Sequence, residues 1–110
     1  MKTLLLFLTF AALAAAQTGE PTNGQKLYVK NGCWQCHGYD GHGGFGAKLA
    51  PKPIALPAFI AYIRHPGPGN MPIYTPKVLA DADLTDIWAF LRSISDPRPV
   101  KDIPLLKDIK

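Results

Sequence analysis

Cys33-Trp34-Gln35-Cys36-His37 contains the only two cysteines of this 110-residue chain and ends on one of its three histidines. The spacing has a mechanical meaning. Two thiols three positions apart can add to the two vinyl groups on neighbouring edges of one haem, and the histidine that follows is then held beneath the iron as its proximal ligand. Three other readings use the same residues. A thioredoxin-like redox pair needs a βαβ pattern, and no candidate strand precedes Cys33. A zinc site drawn from Cys33, Cys36, His37 and His42 would make a poor tetrahedral chelate, because two of its ligands are adjacent. The plainest alternative is a structural disulfide with a bystander histidine.

An iron so held needs a sixth ligand. Apart from Met1, the chain has one methionine, Met71, in Gly69-Asn70-Met71-Pro72. A single methionine often fills a core gap, but a core filler belongs on a helical stripe. This one lies in a Pro/Gly loop whose backbone is pre-set by its prolines, so its thioether can be presented at small entropic cost. His65 and His42 compete for the role. His42 is five residues past His37, and five extended residues reach about 17 Å, barely enough to pass around a porphyrin edge.

Outward from the motif, the chain reads as short helices joined by irregular loops. Asn23 to about Asn31 reads as a helix with Asn23 as N-cap, Gly32 as its stop and Gly24, Leu27 and Tyr28 on its packed side. Residues 33–52, rich in glycine, read as having no regular element. Pro57 to about His65 is a helix with Phe59, Ile60 and Ile63 at helical spacing. Leu84 to about Ser95 is the strongest helix, with Asp83 and Asp86 as its capping pair and Leu84, Ile87, Trp88, Leu91 and Ile94 as one apolar stripe. Residues 96–110, with Pro97, Pro99 and Pro104, read as an extended tail. Clean two-residue alternation is missing, so the expected class is all-α.

The N-terminus has its own signature. Met1-Lys2-Thr3 is followed by thirteen uncharged residues, Leu4 to Ala16, and Ala14-Ala15-Ala16 suits a signal peptidase. That run is short of the roughly 20 residues that span a bilayer. The expectation is a cleaved signal at 1–16, a domain at 17–95, a tail at 96–110, export to the periplasm and no stable membrane span. The chain carries eleven prolines and ten glycines, and twelve basic against eight acidic residues give a net charge of +4. The basic residues are scattered rather than clustered, which argues against nucleic acid as a partner. Gly41-His42-Gly43-Gly44-Phe45-Gly46 matches a dinucleotide fingerprint but follows no strand, so that reading fails its context test.

With these residues in view, the chain resembles the class I (monohaem, His/Met) cytochromes c up to about Ile94. The order matches: a first helix, C-x-x-C-H, a Gly-rich loop, a middle helix, an M-P loop and a last helix. The resemblance implies a small cytochrome c fold, three to four short helices wrapped around one covalent haem c on Cys33 and Cys36, with His37 and Met71 on the iron. It implies that Gly24 and Tyr28 cross Ile87 and Phe90, that a proline carbonyl, here Pro51, accepts from the proximal histidine, and that Tyr28, Trp88 and Phe90 surround the iron. Only 34 positions separate His37 from Met71, so one haem edge should be exposed. Tyr62, Arg64 and Tyr74 are candidate contacts for the haem propionates. The tail residues Ile103, Pro104, Leu105 and Leu106 either fold back or dock a partner.

The expected function is one-electron transfer between periplasmic protein partners, from a dehydrogenase or reductase donor to an oxidase-type acceptor, with no catalysis of its own, or service as the cytochrome subunit of a dehydrogenase. The alternatives are an open-site haem protein of peroxidase or gas-binding type and a non-haem secreted module stapled through Cys33–Cys36.

Overall fold

The computed structural model describes residues 18–106 of the chain. The expected signal segment, 1–16, lies outside the described residues, as do positions 107–110 of the tail. Four α-helices, α1 (Pro21–Lys30), α2 (Trp34–His37), α3 (Leu56–Arg64) and α4 (Asp81–Ser93), are followed by two single 3₁₀ turns, Val100–Asp102 and Pro104–Leu106. Among the described residues there is no strand.

The helix starts fall earlier than the sequence reading placed them. α1 begins two residues before Asn23: Pro21 occupies the first turn and the Glu20 carboxylate accepts from Thr22 N (3.3 Å) as the cap. Proline suits that position, since its missing N–H would be unpaired there anyway. Asn23 is inside the helix, and its side-chain amide donates to Asp86 Oδ2 (2.8 Å). α4 likewise begins at Asp81 with Ala80 as its flanking residue. Asp83 caps it from within, its Oδ2 accepting from Ala80 N (3.0 Å). Asp86 has no capping role; it accepts from Glu20 N (2.7 Å) and from Asn23, tying α1 to α4.

Those two helices make the main crossing. Gly24 sits with its backbone directly against Asp86 and Ile87, where a Cβ would overlap the Asp86 carbonyl group. One turn on, the Tyr28 and Phe90 rings meet at 5.4 Å, tilted by 57°, a favoured aromatic geometry. α3 also packs on α4. Leu84, Ile87 and Leu91 of α4 are almost fully buried, together with Tyr28, Phe59 and Leu79, each apolar side chain contributing roughly 1.5–3 kcal/mol through burial.

The glycine-rich segment is mostly irregular, as expected, except that α2 forms one helical turn inside it. Gly41 holds a positive φ of 67° and its carbonyl accepts from both Leu49 N (2.8 Å) and Ala50 N (2.9 Å), closing the loop on itself. The tail is not fully extended. It leaves α4 tied to the loop by His42 Nε2–H donating to Ser95 O (2.7 Å) and by a solvent-exposed Lys48–Asp96 ion pair (2.7 Å). It then folds into the two 3₁₀ turns, with Leu105 90% exposed.

Candidate haem site

α2 exists because Gly32, at φ 74°, turns the chain sharply out of α1, and Cys33 N then donates to Tyr28 O (3.1 Å). His37 N donates to Cys33 O (3.0 Å), closing the turn. One helical turn sets Cys33 and Cys36 on a common face. Gly38, at φ 78°, ends it, and its carbonyl accepts from the buried Tyr28 hydroxyl (2.7 Å). Trp34, between the cysteines, stacks on Tyr39 at 4.5 Å and 11°.

A cavity of about 840 Å³ opens against this turn, within the size range of small-molecule and cofactor sites. Cys33, Cys36 and His37 form one part of its wall. Phe59 and Ile63 of α3, Leu79, and Leu84, Ile87 and Leu91 of α4 form an apolar floor. Met71 lines it from the loop between α3 and α4. The sulfurs of Cys33 and Cys36 are not joined to each other. Burial pushes the Cys33 thiol up to about 11, so that before any thioether forms it is held as the neutral thiol at ordinary pH. Burial also raises the Tyr28 hydroxyl well above its usual range, reinforced by the neighbouring Cys33 and Asp40. The Tyr74 hydroxyl is raised chiefly by burial, then by Cys33 and Cys36.

The imidazole of His37 is oriented by backbone. Its Nδ1–H donates to the Ala47 carbonyl at 2.7 Å. A carbonyl only accepts, so Nδ1 carries a proton, and Nε2 is the ring nitrogen that can offer a lone pair to a metal. The sequence reading offered Pro51 for this role; the acceptor is Ala47 instead, because the loop folds back early. Gly46 N donates to Cys36 O (2.7 Å), and a Cβ on Gly46 would stand 2.9 Å from His37 Cε1 and 3.0 Å from Nδ1. Only a glycine lets the backbone approach the ring that closely.

The donor set suits a covalent haem: two thiols on one turn, an imidazole whose Nε2 has no hydrogen-bond partner and a thioether line a single apolar cavity. The other histidines lie elsewhere. His42 is tied to Ser95, and His65 borders a separate surface hollow with Arg64 and Ile73. Among the described residues no group of three or more His, Cys, Asp or Glu side chains could hold a metal ion by itself, which removes the zinc reading.

Several expected neighbours are not at the cavity. Trp88 and Phe90 do not line it. Trp88 donates from Nε1 to Ile54 O (2.9 Å) beneath the Arg92 guanidinium, 4.5 Å from its ring centroid, and Phe90 is spent on Tyr28. Arg64 is engaged with Tyr74 O (2.9 Å) and Asp81 Oδ1 (2.6 Å). The Tyr74 hydroxyl donates to Asn31 O (2.8 Å). Tyr28, Tyr62 and Tyr74 do line the cavity.

Residues 19–91 match the family model described as "Cytochrome C oxidase, cbb3-type, subunit III". The chain belongs to this family of monohaem c-type cytochromes. Neither the curated proteins nor the solved structures include a match to it. The cytochrome carries covalent haem c, for which the spacing of Cys33 and Cys36 provides the attachment. Its role is haem-based electron transfer with protein redox partners. No helix among the described residues is long and apolar enough to cross a membrane.

Proposed function

We propose that the cytochrome is an exported, periplasmic carrier of single electrons whose iron is held by His37 and Met71. The observation that carries this reading is the convergence of His37, its Nδ1 pinned to Ala47 O, and Met71 on one apolar cavity, while both competing histidines lie outside it. When bound, a haem supplies a one-electron iron couple, and a methionine ligand favours its ferrous form. The chain does the rest. His37 and Met71 would hold the iron together, and O₂ or peroxide would then have to displace Met71 to reach it, which favours electron transfer over catalysis. The Ala47 bond fixes the imidazole and strengthens it as a donor. The floor from α3 and α4 keeps water from one side, whereas Phe45, Ile54 and Tyr62 on the cavity rim are 82%, 55% and 48% exposed and offer a partner close approach.

The domain is residues 17–95, released by cleavage of 1–16, with 96–110 as the tail. A terminal oxidase as acceptor is supported by the family description. The alternative of a cytochrome subunit docked on a dehydrogenase draws support from Val100 and Leu105, 63% and 90% exposed at the tail. The test is optical. Sharp α and β bands in the reduced form, and a weak long-wavelength band in the ferric form, are expected of a methionine–iron bond. Met71→Ala should keep covalent haem, lose the long-wavelength band and lower the potential. High-spin bands with rapid CO binding in the parent protein would instead establish an open sixth site.

A further inference from the structure

With haem in this cavity, two propionate carboxylates must be accommodated, and burying an unpaired carboxylate is costly. Most polar groups on the wall are already committed. Tyr28 donates to Gly38 O, Tyr74 to Asn31 O and the Asn31 side chain to Leu27 O. Lys48 is paired with Asp96. Two cations line the cavity, Lys48 and Lys52, and no carboxylate does. Among the described residues Lys52 has neither a hydrogen-bond nor an ion-pair partner. It belongs to the segment after the Gly41–Ala50 loop rather than to α2, and the propionate-bearing edge of a haem is the one away from its vinyl groups. Thioethers to Cys33 and Cys36 would therefore turn the carboxylates away from this turn.

We propose that Lys52 is the cation that pairs with a haem propionate; Gln35, Tyr62 and Asn70 are the neutral side chains on the same cavity whose donors are not engaged elsewhere among the described residues. Lys52 is a positioning and charge-neutralising residue, not a catalytic one. An ionised propionate stabilises ferric iron, and a lysine paired with it offsets that effect and raises the potential. Asp96, whose carboxyl is held below its usual range by Lys48 first and also by the charges of Lys52 and His42, is the acidic group facing this lysine.

The experiment uses holoprotein carrying ¹³C-labelled haem propionates and reads the oxidised-minus-reduced infrared difference spectrum together with the midpoint potential. Lys52→Gln should shift a propionate carboxylate band and lower the potential. Lys52→Arg should restore both, and Lys48→Gln should leave the propionate band in place. An unmoved band in Lys52→Gln, or an equal shift in Lys48→Gln, would overturn the assignment. A parent chain without covalent haem would overturn it together with the cavity reading, and is told apart by showing no haemochrome band at all.

Discussion

Replacing Gly24 by alanine tests the helix crossing on which the cavity depends. A Cβ at Gly24 would overlap the Asp86 carbonyl group and stand 2.9 Å from Ile87 N. All of these atoms are backbone, so no rotamer change relieves the clash. Restoring ordinary contact at 3.5–4.0 Å requires α1 and α4 to separate by about an ångström or more. That opening would loosen Tyr28 against Phe90 and lengthen the Asp86 bonds to Glu20 and Asn23. Overpacking of this kind costs about 1–3 kcal/mol, occasionally more, and the absence of any flexible atom puts the cost at the upper end. Alanine gains roughly 0.5–1 kcal/mol over glycine inside a helix, leaving a net loss of about 2 kcal/mol. For a domain of this size that lowers Tm by roughly 8–16 °C. The assay is thermal unfolding of the holoprotein, followed by far-ultraviolet circular dichroism and by the Soret band. If Gly24→Ala proves as stable as the parent, or more so, the helices do not cross backbone to backbone at this position and the crossing is wrong.

Gly46→Ala should force the His37 ring off the Ala47 carbonyl, since the added carbon would stand 2.9 Å from Cε1. Loss of that bond weakens the imidazole as a donor, so the potential should rise; an unchanged potential and an unchanged Nδ1–H resonance would contradict it. Burial raises the Tyr28 pKa above its unfolded value of 10.0. The stability it contributes is therefore complete below about pH 10 and declines as pH rises towards the folded value. Tyr28→Phe should flatten that alkaline decline while losing about 1–3 kcal/mol at neutral pH, because Gly38 O is left without its donor; equal alkaline slopes in the two proteins would argue against it. Lys48→Ala should leave Tm nearly unchanged, because its pair with Asp96 is exposed.

Much of the site is legible in the sequence because covalent haem attachment imposes its own spacing. The C-x-x-C-H run and the single Met-Pro loop identify the groups that the fold brings to one cavity. The packed faces of α1 and α4 are also legible, through Gly24 and Tyr28 on one and the Leu84, Ile87, Leu91 stripe on the other. Helix starts are not. Asp83 can cap as the residue before a helix or from its third position, and the sequence Asp81-Ala82-Asp83 does not choose. Pro21 is the available signal for the start of α1, and the competing cap Asn23 obscures it. The acceptor for His37 could not be read, because a backbone carbonyl has no side-chain signature. Arg64 looked free for a propionate because its partner Asp81 is 17 positions away. Lys52 becomes visible only once the other cation on the cavity wall, Lys48, is assigned to Asp96.

The most direct measurement is the intact mass of the matured, denatured protein, recorded alongside its visible spectrum. The account requires the mass of the processed chain plus one haem, held through Cys33 and Cys36, with low-spin bands in both oxidation states. A mass equal to the amino acids alone, or two hydrogens below it from a Cys33–Cys36 disulfide, would contradict it.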